Sequence, residues 1–235
     1  MTDQHHTSKN FDLEMETLRT GVLEMGGLVE LQVRRALEGL RSGNMAQLEA
    51  VIRDDSRVNQ MENDLDHACN QVIAKRQPTA IDLRMIITVL KSISDLERIG
   101  DKARKIARYG VALHDQHGAT SPSVDLNHMA EVALSMLRTS LDAFARLDPV
   151  AAARTLHIDE TVNGEYQSII RQLITYMMED PRSISSALDI MAMAKAIERV
   201  GDHSKNIAEY VIYMAKGISV RHASPSEVDE KIAAA

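Results

Sequence analysis

Apolar residues recur with the period of an α-helix through most of the chain, in six separate segments. In the first segment Leu18, Val22, Met25 and Val29 fall on one face, as expected for a helix that packs against a core. Turn-forming residues separate the segments, among them "SGN" at 42–44. The predicted helices span residues 12–42, 45–76, 80–114, 126–147, 150–179 and 184–216.

Three helices, a linker and three more helices indicate a duplicated unit. We therefore predict an all-α fold of two tandem three-helix bundles related by pseudo-two-fold symmetry. The predicted organisation is, in order along the chain, a flexible N-terminal tail at 1–10, a first repeat at 11–114, a linker at 115–125, a second repeat at 126–217 and a flexible C-terminal tail at 218–235.

Two short motifs support the duplication, because each of them occurs in both halves. The segment "DLERIGDKARKIARY" at 95–109 matches "AIERVGDHSKNIAEY" at 196–210 at one constant offset. A second match pairs "DDSRVN" at 54–59 with "IDETVN" at 158–163, at an offset three residues larger. The loops around Pro78 and Pro181 can absorb that difference. The aligned acidic and amide pairs are Asp55 with Asp159, Asn59 with Asn163, Glu97 with Glu198 and Asp101 with Asp202.

Composition agrees with a helical, intracellular protein. Aromatic residues make up only 3% of the 235 residues, whereas there are 13 Met and only five Pro. Cys69 is the single cysteine, which excludes an internal disulfide framework. A net charge of −7 argues against nucleic acid as a partner. No signal peptide and no apolar run of about 20 residues is evident, so we expect a cytoplasmic protein without a membrane-spanning segment.

The repeated acids indicate a candidate metal site. Glu97 and Asp101 are four residues apart and therefore share a helix face, beside the apolar stripe. Asp55 lies on the apolar stripe of the preceding helix, so packing would bring the two helices' acids together. Carboxylates at such an interface are costly to desolvate unless a cation lies among them. Asp, Glu and Asn oxygens suit Mg²⁺, Mn²⁺ or iron, with Zn²⁺ as a further candidate.

Two other interpretations remain open. The acids could form a solvated helix face on which Arg98, Lys102 and Lys105 neutralise them, so that the protein is a metal-free helical scaffold. Alternatively, carboxylates in a helical bundle could belong to a ferritin-like di-metal oxidase. That class requires two Glu-x-x-His pairs, and the nearest match is a single Asp64-x-x-His67.

The chain resembles the PhoU family of bacterial phosphate-signalling and phosphate-transport accessory proteins. The resemblance rests on "FDLEMETLRTGVLEMGGLVE" at 11–30 together with both Glu-x-x-Gly-Asp segments, and it covers nearly the whole length. It implies two three-helix bundles with an acidic motif in each and a metal cluster bound there. The ligands implied by the resemblance are Glu97, Asp101, Glu198 and Asp202, with Asp55, Asn59, Asp159 and Asn163 as their facing partners.

The resemblance also implies a function. Members of this family are not enzymes but adaptors that repress the phosphate-starvation response when phosphate is plentiful. The expected partners are the ATPase subunit of the phosphate ABC transporter and a membrane sensor histidine kinase, together with a second copy of the chain in a homodimer. We therefore expect the protein to associate with the inner membrane peripherally, through its protein partners.

Overall fold

The fold is built from seven α-helices in the part of the chain that the structure describes, residues 3–115 and 122–234 of a computed structural model. The first bundle contains three long helices: α1 (Asp3–Ser42), α2 (Met45–Arg76) and α3 (Ala80–Asp115). The second contains α4 (Asn127–Arg146), α5 (Pro149–Glu179) and α6 (Ile184–Lys216), with a short 3₁₀ turn, Pro181–Ser183, before α6. A last helix, α7 (Pro225–Ala234), follows. The predicted all-α architecture of two tandem bundles is confirmed.

Local capping explains where several helices begin and end. Asn44 precedes α2 and its side-chain oxygen accepts a hydrogen bond from the Gln47 amide at 3.2 Å. Asp148 caps α5 in the same way, and Pro149 fills the first helical position, where no amide hydrogen is needed. Gly217 ends α6 with a φ of 74°, a left-handed conformation that costs glycine little. The sequence therefore predicted the six main helices to within a residue, except at the start of α1.

The two bundles meet through α3 and α6, which pack against each other more extensively than any other pair of helices. Helix α3 also packs on α1 and α2, and α6 packs on α4 and α5, so each of the two lies in its own bundle and in the junction. Leu96 and Ile99 on α3 and Ile197 on α6 are buried. The acidic motifs of both repeats therefore lie on the two helices that join the bundles.

Both segments that were predicted to be flexible tails contain helix in the structure. Helix α1 begins at Asp3, so most of the predicted N-terminal tail is helical. The predicted C-terminal tail contains α7, which packs on α5 and buries Val228 and Ile232. Ser224 and Glu227 form a reciprocal capping box at its start, a signal that was present in the sequence. Residues 116–121 of the predicted linker lie outside the described residues, and 122–126 have no regular structure.

The glycine of each repeated motif lies where two helices approach closely. A methyl group on Gly100 would lie 3.3 Å from Cγ1 of Val58 on α2 and 3.5 Å from Oε1 of Gln32 on α1. On Gly201 it would lie 3.5 Å from both Met136 Sδ and Val162 Cγ1. The absence of a side chain therefore allows a closer approach of neighbouring helices at Gly100 than at Gly201.

We predict that Gly201→Ala and Gly100→Ala differ in their effect on stability. At position 201 the added methyl makes ordinary contacts, so the higher helix propensity of alanine should raise the free energy of unfolding by up to about 1 kcal/mol. At position 100 the tight contact with Val58 should offset that gain. Urea unfolding of each variant and of the wild type measures the change in the free energy of unfolding. If Gly201→Ala were less stable than Gly100→Ala, the packing argument would be contradicted.

Candidate metal centre

The eight predicted ligands lie on four helices, and in each repeat the acids of the two helices are near enough to influence one another. In the first repeat α2 carries Asp55 and Asn59, and α3 carries Glu97 and Asp101. Helices α5 and α6 carry the corresponding residues of the second repeat, Asp159, Asn163, Glu198 and Asp202. Asp55 and Asp159 are each only 5% exposed and Glu198 only 8%, whereas the other five are partly buried. The acids are therefore not a solvated helix face.

In the first repeat, an arginine that sequence reasoning did not single out pairs with two of the acids. Arg104 lies three residues after Asp101 on α3, and its Nε is 3.4 Å from Oδ2 of Asp55 on α2. Its Nη2 donates to Oδ1 of Asp101. The other oxygen of Asp55, Oδ1, is buried and has no hydrogen-bond partner among the described residues. Arg104 therefore bridges the two helices but leaves one carboxylate oxygen unsatisfied.

Burial and mutual repulsion disfavour the charged form of these acids. Burial raises the pKa of Asp55, and nearby Asp101 adds to the rise while Arg104 opposes it. Burial also raises the pKa of Glu97, followed by the negative charges of Asp101, Glu62 and Asp55. Glu62, which lies on the apolar stripe of α2, accepts a hydrogen bond from the Ser94 hydroxyl at 3.2 Å. Four carboxylates are therefore close enough to influence one another.

The second repeat has the same arrangement with a lysine as the bridging cation. Lys205 Nζ on α6 lies 2.8 Å from Oδ2 of Asp159 on α5, and that oxygen also accepts from Asn163 Nδ2 at 3.2 Å. The hydrogen bond to Asp159 and the surrounding acids raise the pKa of Lys205, although burial opposes them as the largest single effect. Lys205 aligns with Arg104 at the offset that aligns Glu198 with Glu97.

Two further cations accompany the second set of acids. The Lys195 ammonium lies against Oε2 of Glu198 as an ion pair, although without hydrogen-bond geometry. Arg199 Nη1 donates to Oδ2 of Asp202 at 3.1 Å. Burial still raises the pKa of Asp202, with Glu198 and Asp159 adding to the rise. Three carboxylates therefore face three cations in this repeat.

The donor set fits a metal ion only in part. Clustered carboxylates with raised pKa values and the unsatisfied Asp55 Oδ1 are features of a cation site. However, within residues 3–115 and 122–234 no three His, Cys, Asp or Glu side chains are close enough together to hold a metal ion. Arg104 and Lys205 already pair with the buried aspartates, Asp55 and Asp159, across the helix interface. As arranged, the two acidic clusters are therefore neutralised only in part by basic side chains of the same chain, and they do not form a preformed metal site.

The ferritin-like alternative has less support. Asp64 and His67 are both exposed on α2, so they do not project into the bundle interior, where a di-metal site of that class is built. Asp64 instead accepts a hydrogen bond from Gln60 on the same helix at 2.8 Å.

Sequence comparison assigns both bundles to one family of domains. The sequence model described as "PhoU domain" matches residues 22–110 and again residues 126–211. The chain belongs to the PhoU family. The two matches coincide with the two bundles, so the duplication predicted from the repeated motifs is that of a PhoU domain.

Characterised relatives match over nearly the full length. The chain is 42% identical over 228 residues to the phosphate-specific transport system accessory protein PhoU homolog of Pseudomonas aeruginosa, covering 97% of this chain and 94% of that one. The PhoU accessory protein of Escherichia coli K12 gives the same identity and coverage.

Solved PhoU structures have the same fold. The crystal structure of PhoU from P. aeruginosa superposes with a TM-score of 0.85 at 43% identity, covering 88% of this chain and 100% of that one. The crystal structure of the phosphate transport system regulatory protein PhoU from Streptococcus pneumoniae superposes with a TM-score of 0.81 at 30% identity. The superposition covers 89% of this chain and 99% of that one. None of the helices in the described part of this PhoU chain combines the length and apolar character needed to cross a membrane.

A second buried polar cluster, at the α3–α6 junction, was missed by sequence reasoning. Asp95 on α3 is 2% exposed, and its Oδ1 lies 2.7 Å from Nδ1 of His203 and accepts from Nδ2 of Asn206 at 3.2 Å, both on α6. Burial and then the negative charge of Asp95 raise the pKa of Tyr210, which lies near it on α6. His203 is therefore paired with Asp95 across the junction. Asp95 aligns with Ala196, so the comparison of repeats did not reveal it.

A cleft of about 410 Å³ with basic walls opens next to the first acidic cluster of this PhoU protein. Lys102, Arg104, Lys105 and Arg108 line it on α3, together with Tyr109. The remaining lining residues are Asp101, Ala112 and Asp189. The second repeat has His203, Asn206 and Glu209 at the positions equivalent to Lys102, Lys105 and Arg108. The positive surface therefore belongs to the first repeat.

Glu209, buried on α6, should make stability depend on pH. Burial raises its pKa to about 7, with Lys205 and Arg221 opposing the rise and Asp159 and Asp95 adding to it. The folded protein therefore retains a proton that the unfolded chain, with an ordinary pKa of 4.5, has lost. Folding stability consequently falls as pH rises from about 4.5 to about 7 and stays reduced above that range.

We predict that Glu209→Gln removes this loss of folding stability at higher pH. At about pH 8 the variant should be more stable than the wild type by about 1–3 kcal/mol, and the difference should shrink toward pH 4.5. Urea unfolding across this pH range measures the difference. Glu160→Gln, at an exposed position of α5, is the matched control and should track the wild type throughout. A constant difference at all pH values would contradict the assignment to Glu209.

Proposed function

We propose that this protein is a non-enzymatic negative regulator of phosphate uptake and of the phosphate-starvation response. In this proposal it acts between a phosphate ABC transporter, through the ATPase subunit, and a sensor histidine kinase. The observation that carries the proposal is the match of both PhoU domains, over 97% of the chain, to relatives named as accessory proteins of the phosphate-specific transport system. The repression and the kinase follow from the family resemblance.

An adaptor of this kind needs a stable scaffold and exposed surfaces for its partners. The long helices, joined through the α3–α6 junction, supply a scaffold that can present one surface from each bundle. A homodimer would double these surfaces and is part of the proposal. Association with the membrane would run through the protein partners, because a net charge of −7 opposes adsorption to anionic lipid.

Metal binding at the acidic clusters is also a proposal. The expected ions are Mg²⁺, Mn²⁺ or iron, with Zn²⁺ as a further candidate, and the expected ligands are the eight residues of the two clusters. The buried, unsatisfied Oδ1 of Asp55 and the raised pKa of Glu97 support a cation in the first repeat. Such an ion would hold α2 against α3 by neutralising carboxylates from both helices.

Deletion of the gene for this protein should leave phosphate-starvation genes expressed in phosphate-rich medium. The physical reason is that a kinase without its inhibitory partner continues to phosphorylate its response regulator. A reporter fused to a phosphate-starvation promoter measures the effect, and the wild-type gene supplied in trans should restore repression. Normal repression in the deletion strain would refute the proposed function.

The basic surface of the first repeat is the proposed site for an acidic partner. Lys102, Lys105 and Arg108 are partly or fully exposed around the cleft, and they have no cationic lysine or arginine at the equivalent positions of the second repeat. Charges of this kind mainly set the association rate and the salt dependence of binding. Lys195, Arg199 and Lys205 on α6 contact acids of their own repeat and are less available.

We predict that the purified protein sediments with membranes that contain the transporter or the kinase, but not with protein-free anionic vesicles. The triple variant Lys102→Glu, Lys105→Glu and Arg108→Glu should lose this binding. A variant with the same net charge, Arg57→Glu, Lys75→Glu and Lys216→Glu, changes exposed positions elsewhere and should retain it. Equal binding to vesicles, or equal loss in both variants, would refute this docking surface.

A further inference from the structure

Both repeats place a basic side chain among their own acids, at the same position. Arg104 and Lys205 each follow the aspartate of the Glu-x-x-Gly-Asp motif by three residues. Each side chain extends from the third helix of its bundle to a buried aspartate on the second helix of the same bundle. Arg104 pairs with Asp55, and Lys205 pairs with Asp159. A bridging cation between these helices is therefore already supplied by the chain itself.

We propose that Arg104 and Lys205 are internal counterions that control whether a divalent cation can bind at the acidic clusters. In the wild-type protein they stabilise the packing of the second helix on the third without metal, and an ion binds only when the basic side chain moves away. This inference concerns the cation site alone and does not depend on the regulatory function proposed above.

The charges of the two clusters support this role and distinguish the repeats. In the first, the facing acids are Asp55, Glu62, Glu97 and Asp101, and Arg104 is the cation that contacts two of them. In the second, Asp159, Glu198 and Asp202 are each contacted by a lysine or an arginine. The first cluster therefore keeps excess negative charge, whereas the second is balanced in charge. Each cluster also has one buried carboxylate oxygen without a hydrogen bond, Oδ1 of Asp55 in the first and Oε2 of Glu198 in the second.

The basic side chains also have space to move. The side chain of Arg104 is 39% exposed and that of Lys205 is 35% exposed, whereas the aspartates they contact are 7% exposed at the side chain. Arg104 already lines the cleft of about 410 Å³, so its guanidinium can leave the acids without disturbing the core. Removing the side chain instead leaves the carboxylates facing one another, which favours occupation by an added cation.

The test is a calorimetric titration of chelator-treated protein with Mn²⁺. Arg104→Gln should bind Mn²⁺ at least about tenfold more tightly than the wild type, because a positive charge next to the ion has been removed. Arg104→Lys keeps the charge and should bind like the wild type. Arg53→Gln, which removes an exposed partner of Glu49 on α2, is the matched control and should also be unchanged.

Two further measurements show where the ion binds and test the proposal independently in the second repeat. The gain in Arg104→Gln should disappear when Glu97→Gln and Asp101→Asn are added, which locates the ion in the cluster. Lys205→Gln should gain less, because Lys195 and Arg199 remain beside the acids, and it provides an independent measurement should Arg104→Gln not fold.

The proposal predicts that Mn²⁺ raises the thermal unfolding midpoint of Arg104→Gln more than that of the wild type. It is overturned if neither Arg104→Gln nor Lys205→Gln binds Mn²⁺ more tightly than the wild type. A gain that persists without the Glu97 and Asp101 carboxylates would also overturn it, because the ion would then be bound elsewhere.

Discussion

The packing of α3 against α6 is the interaction on which the rest of the structure depends. It joins the two bundles, and it buries Asp95 where His203 and Asn206 of α6 are the hydrogen-bond partners of the carboxylate. A buried carboxylate without such partners would cost several kcal/mol, so this cluster favours one register between the two helices. Because both acidic motifs are on α3 and α6, that register also sets where the motifs lie.

The acidic clusters show how a helical protein can keep carboxylates at a helix interface. Burial and mutual repulsion raise the pKa values of Asp55, Glu97 and Asp202, which means that the charged forms are disfavoured where they stand. Cations from the same chain offset this cost, and Arg104 and Lys205 do so across helices. The clusters are thus compatible with a stable metal-free bundle and still chemically suited to hard cations.

The two repeats share an architecture but not their charges. The bridging cation is common to both, whereas Lys102, Lys105 and Arg108 of the first repeat are replaced by His203, Asn206 and Glu209 in the second. Of these, His203 and Asn206 serve the junction by binding Asp95, and Glu209 is buried. The duplication therefore left one bundle with a basic surface and gave the other the contacts that join them.

The amino-acid sequence by itself determined the helices, the duplication and the identity of the acids. Period, caps and turn residues are local, so they specified α2 and α6 to the residue, and the repeated motifs identified Asp55 and Glu97 as members of one cluster. The capping box of Ser224 and Glu227 was equally local, although the segment was interpreted as a flexible tail.

Only the tertiary structure decided which cation each acid meets. From sequence, Arg98, Lys102 and Lys105 were the candidates for neutralising the acids. In the folded protein Lys102 opposes the rise in the pKa of Glu97, but Arg104 makes the ion pair with Asp55, because the crossing of α3 over α2 brings the two together. Asp95 and His203 are 108 residues apart and are paired only by the junction between bundles. Contacts of this kind depend on how the helices cross. The sequence pattern shows which residues share a face of a helix, but it does not show which other helix that face packs against.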